Sequence, residues 1–283
     1  GTARSGHEAV ACSNGRIFVG PGNNGGTGAV DECFTFVIDP SNVLHKDADT
    51  YNVLYSRYDY GACAFGNGSV LLVGGRNPAD AVRTAECEVF EFGTGFRRIA
   101  PMSCPRATPG VAKLPDGRIV VVGDDGLTVG SVGLQSAEIW EPATEKWEKL
   151  PPPNGECNQP FVYWNDVMKK VVVIAKKYVS GYGAPHVEAF DPVTGKWTNV
   201  YVPGTMASLP ASSVCAGEGR AFSFGGLIIG NTVSSSVMAM TPGELTLSVK
   251  NVNGIHKVTN TSATTITIAT SEPGYFTNKF NVG

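Results

Sequence analysis

Histidine is scarce in this chain: only His7, His45, His186 and His256 occur, and no spacing groups them. Hydrolytic triads and transition-metal centres need converging imidazoles, thiolates or carboxylates, so both lose their usual ligands here. The seven cysteines contain no Cys-x-x-Cys pair, which argues against a structural zinc. No apolar run reaches the roughly eighteen residues of a membrane span, and the first residues do not read as a signal peptide. A basic excess is missing too. The 22 Lys and Arg stand against 25 Asp and Glu, a formal charge of −3, and the doublets Arg97-Arg98, Lys169-Lys170 and Lys176-Lys177 are scattered. Nucleic acid and membrane insertion are therefore not expected. The chain starts at Gly1 rather than methionine and is expected to be part of a larger polypeptide or assembly; cytosolic, virion and extracellular settings all fit the composition.

Glycine, at 35 residues, is abundant, and it sits at the turns of a repeat about fifty residues long. The phrase is an acidic residue, a proline, a short turn and a tryptophan: Glu141-Pro142-Ala143-Thr144-Glu145-Lys146-Trp147, then Asp191-Pro192-Val193-Thr194-Gly195-Lys196-Trp197. Each follows an alternating run that ends in an aromatic, at Trp140 and at Phe190. Weaker copies follow Ile38, Phe90 and Met240. Short strands repeating at this length imply a β-propeller, because one small sheet cannot bury both of its faces alone.

A second phrase sets the phase. Ala9-Val10-Ala11-Cys12, Asn14-Gly15 and Ile17-Phe18-Val19-Gly20 form a strand, a tight turn and a second strand ending in glycine. Later copies turn at Asn67-Gly68, Asp116-Gly117, Asn165-Asp166 and Glu218-Gly219. Asn-Gly and Asp-Gly between apolar runs are strong hairpin signals. The tryptophans read as packing residues of each unit.

Together these phrases resemble the kelch repeat, in which an inner hairpin ends in a double glycine and a third strand ends in an aromatic about seven residues before a tryptophan. The likeness covers roughly residues 4–248, with the double glycine kept at Gly74-Gly75 and Gly225-Gly226 only. The fold implied is an all-β, kelch-like β-propeller of four-stranded antiparallel blades. Six blades are expected, five clear and one incomplete, since His256 precedes Ile266 by the interval that separates His7 from Ile17. Residues 1–283 then form one domain. The alternative is a five-bladed disc over 1–248 with 249–283 appended, a stretch that resembles small β-modules of bacteriophage tail and fibre proteins.

Galactose-oxidase-like copper enzymes also carry a kelch-like propeller, and that likeness would imply two histidines and two tyrosines around copper. No continuous motif of this kind is present, so no cofactor or metal and no catalytic residue is expected, and the copper enzyme stands as the alternative from another class. Cys12, Cys63 and Cys215 on first strands, with Cys33 and Cys87, read as buried thiols. Cys104 and Cys157 lie in connections one blade apart, a spacing that allows a bridge.

What remains is recognition. In such a blade the loops between second and third strands share a face with the connections between blades. The long loops are of this kind: 20–32, 74–85, 123–136, 175–186 and 226–235. Binding is expected on them, with Arg76, Asp124, Asp125, Lys176, Lys177, Tyr178 and Tyr182 as exposed groups that the fold does not need. The partner expected is a protein or a surface glycan, with a virion or cell-surface attachment role as the alternative.

Overall fold

The computed structural model describes residues 2–25, 28–127, 131–176 and 185–200, and beyond these the backbones of eight strands between 213 and 269. Its described residues form strands and turns without a helix. No helix is long and apolar enough to cross a membrane.

Blade one contains β1 (Ala9–Ala11), β2 (Arg16–Val19), a small hairpin of β3 (Gly22–Asn23) and β4 (Ala29–Val30), then β5 (Glu32–Ile38) and β6 (Leu44–Asn52). Its sheet order is β1-β2-β5-β6. Blade two is β7 (Gly61–Phe65), β8 (Ser69–Val73), β9 (Cys87–Glu91) and β10 (Gly95–Ile99). Blade three is β11 (Gly110–Lys113), β12 (Ile119–Val122), β13 (Ala137–Glu141) and β14 (Lys146–Lys149). Blade four is β15 (Asn158–Asn165), β16 (Lys170–Lys176), β17 (Pro185–Asp191) and β18 (Lys196–Asn199). Each of these is a four-stranded antiparallel meander in chain order. The inner strands β1, β7, β11 and β15 are neighbours in that sequence.

The fifth sheet holds β19 (Ser213–Gly217), β20 (Arg220–Phe224), then, past a hairpin of β21 (Leu227–Ile228) and β22 (Thr232–Val233), β23 (Val237–Met240) and β24 (Ser248–Asn251). Two more strands, β25 (Gly254–Ser262) and β26 (Thr265–Ala269), continue that same sheet. Among the described residues, the stretch expected to open a sixth sheet therefore lies on the edge of the fifth. The tight Asn251↔Gly254 turn explains this locally, because it folds β25 straight back along β24.

Burial alternates with period two, as strands packed on both faces require. Leu71 and Val73 join Ile119, Val121 and Trp140 of blade three, whereas Val70 and Leu72 join Cys12, Phe18 and Cys33 of blade one. Val120, Val122 and Ile139 in turn meet Val162, Val171, Val173 and Phe190 of blade four. Each interblade layer is thus built from alternate residues of two sheets.

The repeated phrases have local causes. Asp39 accepts the backbone N–H of Ser41 and Val43, and Asp191 accepts those of Val193 and Thr194, so the acid before the proline is a turn former. The turn then pairs Trp140 with Trp147 and Phe190 with Trp197 across adjacent strands, the latter rings 5.0 Å apart. Trp147 and Trp197 are half-buried rather than core residues, and each indole N–H reaches back to a carbonyl after the preceding blade, Ala100 at 2.9 Å and Pro151 at 2.8 Å. Glycine closes the second strands for a steric reason. A Cβ on Gly74 would lie 2.4 Å from the Arg106 carbonyl, and one on Gly123 would lie 2.3 Å from that of Cys157. The next blade's connection crosses at that point. The six described cysteines are free thiols, so Cys104 and Cys157 are not bridged; the Cys104 sulfur lies 3.7 Å from the Ser136 hydroxyl instead.

Candidate functional site

The segment that enters each inner strand follows one plan. Arg57 and Arg106 stand four residues before the first-strand glycines Gly61 and Gly110. Both are fully buried, and both bridge backbone carbonyls to a carboxylate on the third strand: Arg57 to Glu88 at 2.8 Å and Arg106 to Glu138 at 2.9 Å. The carboxylates in turn accept the backbone N–H of Leu54 and of Ser103. Every charge in this unit is matched, as a buried ion pair requires.

Blades one and four vary it. Arg4 holds the Gly20 and Glu32 carbonyls, but Phe34 replaces the carboxylate and the guanidinium lies 4.6 Å above its ring. In blade four Cys157 takes the arginine's place while the acid persists as Glu188. His186, the Asn154 side chain and the backbone N–H of Asn154 and Gly155 now surround it. Burial alone would raise the Glu188 pKa, but these donors outweigh it and hold the carboxyl below its ordinary value. Burial pushes the Cys157 thiol up to about 12, so it is an inert thiol.

Two residues after each clamp the backbone turns left-handed, at Gly6, Asp59, Thr108 and Gln159, with φ between +43° and +61°. These positions link blade to blade. Asp59 N–H donates to the Gly6 carbonyl and Thr108 N–H to that of Asp59. Three of the four are not glycine, and such conformations persist only where the surroundings impose them. Beside this ring Glu8 opens onto water in a groove bounded by inner-strand residues such as Ala62, Cys63 and Lys113. The surrounding strands, and then the charge of Asp59, push its carboxyl up to about 7.

The expected contact residues divide. Arg76 pairs with Asp125, and Arg83 pairs with Asp124 and lies 3.7 Å from Asp125, so the long loops of blades two and three are tied together. Asp124 also accepts the Ala107 and Asp125 N–H groups. The reading of Asp124 and Asp125 as exposed groups is thereby corrected: both are buried, and Arg76 is largely covered, because each supplies the counter-charge of a neighbouring loop. Lys176 closes β16, where its backbone pairs with Asn158 and Pro185. Lys177, Tyr178 and Tyr182 lie outside the described residues. In the connection that enters β7, Arg57 and Tyr60 are buried, and Tyr51 of β6 packs edge-on against Phe90.

Sequence reasoning passed over three aliphatic residues on these tied loops. Val82 is 60% exposed, Leu127 70% and Val132 75%. Large apolar residues outside any strand, in loops otherwise rich in glycine and aspartate, were the available signal. Among the described residues no group of three or more His, Cys, Asp or Glu is placed to hold a metal.

No family model matches the chain. It is 23% identical over 147 residues to an F-box/kelch-repeat protein of Arabidopsis thaliana, covering 49% of this chain and 39% of that one. A second F-box/kelch-repeat protein of the same plant, SKIP20, is 28% identical over 142 residues, covering 47% and 33%. Beta-scruin of Limulus polyphemus is 28% identical over 171 residues, 55% of this chain and 18% of its own. The chain thus matches well under half the length of these relatives. The solved structure of YjhT superposes with a TM-score of 0.66 over 88% of this chain and 84% of that one, at 12% identity. The fifty-residue phrase, the four-stranded antiparallel blades and these likenesses make the chain similar to kelch-repeat proteins, with a β-propeller fold.

Proposed function

We propose that this propeller is a non-catalytic protein-recognition module that binds its partner with the long-loop face. The observation that carries the reading is the set of exposed aliphatic tips Val82, Leu127 and Val132 on two loops held together by the Arg76–Asp125 and Arg83–Asp124 pairs. Exposed apolar side chains on a rigid support lose little entropy on binding and gain apolar burial. Aliphatic tips favour a protein over a glycan, whose hydroxyls call for aromatic platforms and hydrogen-bonding groups. A standard interface takes about 800 Å² per partner, so further loops of this face contribute; Lys177, Tyr178 and Tyr182, which link β16 to β17, are retained as candidate contacts. Relatives named as F-box/kelch-repeat proteins pair a kelch region with another module, which agrees with a recognition role.

The test is crosslinking and affinity capture with the wild type, a Val82→Ser/Leu127→Ser/Val132→Ser variant, and an opposite-face variant, Val193→Ser. A partner lost with the triple variant and kept with Val193→Ser supports the reading. A partner that binds all three alike, and crosslinks only to the short turns such as 191–195, overturns it.

A further inference from the structure

The outer edges of the sheets are not alike. In blades one to four the outermost strand carries charge: Lys46, Asp47 and Asp49 on β6, Arg97 and Arg98 on β10, Lys146, Glu148 and Lys149 on β14, and Lys196 on β18. Charged residues on an edge strand discourage pairing with another chain. The fifth sheet ends instead at β26, which pairs with β25 and with no further strand among the described residues. From Val258 to Ser271 the sequence holds no Asp, Glu, Lys, Arg, Pro or Gly. Its Thr265-Ile266-Thr267-Ile268 run is β-branched throughout, as a strand favours. The sequence around Thr267 is also close to a palindrome: Thr264-Thr265-Ile266 precedes it and Ile268-Ala269-Thr270 follows. The register puts Ile266 and Ile268 on one face of the sheet with Val258, and Thr265, Thr267 and Ala269 on the other with Lys257 and Thr259.

We propose that β26 is the interface to a second copy of this chain, the two strands pairing antiparallel about a two-fold axis through Thr267. An isologous contact needs a surface that matches itself, and a palindromic strand supplies one. Ile266 then lies opposite the partner's Ile268, Thr265 opposite the partner's Ala269, and Thr267 opposite its own copy. Moving the axis to Ile266 or Ile268 would set the remaining isoleucine against threonine, so the axis at Thr267 pairs like with like best. The pairing gives each strand the hydrogen-bonding partner that its free edge lacks, and it joins two six-stranded sheets into one. Both free edges are consumed, so assembly stops at two copies and does not grow into a fibre.

Sedimentation velocity of the full chain over a dilution series reads the oligomeric state. The wild type is expected to pass from monomer to dimer as concentration rises, with no larger species. Because position 267 faces itself across the axis, Thr267→Lys and Thr267→Glu should each lose the dimer through like-charge repulsion, and an equimolar mixture of the two should regain it, less so at high salt. A second measurement serves if either charged variant fails to fold. Thr267→Cys should give a disulfide-linked dimer on oxidation, whereas Thr265→Cys, displaced from its own copy along the strand, should not. A wild type that stays monomeric at every concentration overturns the proposal. So does a dimer that survives Thr267→Lys, a mixture of folded charged variants that remains monomeric, or crosslinking that is equal at 265 and 267.

Discussion

Glu88, Glu138 and Glu188 occupy one position in three successive blades, yet they are neutralised differently, and that difference is testable. Removing one partner of a fully buried pair leaves the other charge stranded, so Arg57→Met or Arg106→Met should cost about 3–5 kcal/mol in chemical denaturation. Losses below about 1 kcal/mol would show that the clamps are incidental. Glu188 has no arginine, and its lowered pKa makes its contribution depend on pH. A carboxyl whose folded pKa lies below its unfolded value stabilises above the unfolded value and loses that contribution as pH falls through the folded one. Glu188→Gln should therefore destabilise at pH 7, with the penalty shrinking below about pH 4, and His186→Ala should reproduce part of it. Glu8 has the opposite sign. Its pKa is raised to about 7, so its stabilising contribution is present below the ordinary carboxyl range and is lost as pH rises through 7. Glu8→Gln should match the wild type's melting temperature in acid and exceed it at pH 8; equal melting at both would refute the crowding of Glu8 by the strands and Asp59.

At the level of strands and loops, what was legible in the sequence was what short-range chemistry controls. The Asx turns at Asp39 and Asp191, the tight turns at Gly15 and Gly117, and the alternation of Val70–Val73 all act over a few residues, so the order of amino acids alone marks the blades. The ties between loops were not legible. Arg83 meets Asp124 across 41 residues, and no local pattern distinguishes an aspartate that points to solvent from one that counters a neighbouring blade's arginine. The same limit applies to the tryptophans, whose spacing announces the turn but not their degree of burial. Trp140 is fully buried, with Phe65 edge-on at 5.0 Å, whereas Trp147 is half-buried. Trp140→Ala should cost about 3–5 kcal/mol and Trp147→Ala only about 2 kcal/mol. Equal penalties would mean that the interblade bond from Trp147 to Ala100 outweighs its exposure.

At the scale of the whole molecule, blades one to four share their apolar layers with their neighbours, which makes them intolerant of division. The layer between blades three and four takes Ala112, Leu114, Val120, Val122 and Ile139 from one side, and Val162, Val171, Val173 and Phe190 from the other. Ending the chain after residue 150 leaves the first set facing water, along with backbone groups that Gly123 and Asp124 share with Cys157 and Gln159 across the same boundary. An uncovered apolar face of this kind promotes association rather than a stable smaller protein. Fragment 1–150 should be insoluble or aggregated when expressed alone, and co-expression with 151–283 should recover soluble material that elutes as one complex. A monomeric 1–150 fragment with a cooperative melt would show that three blades close without the fourth, contrary to the shared layers from which this disc is built.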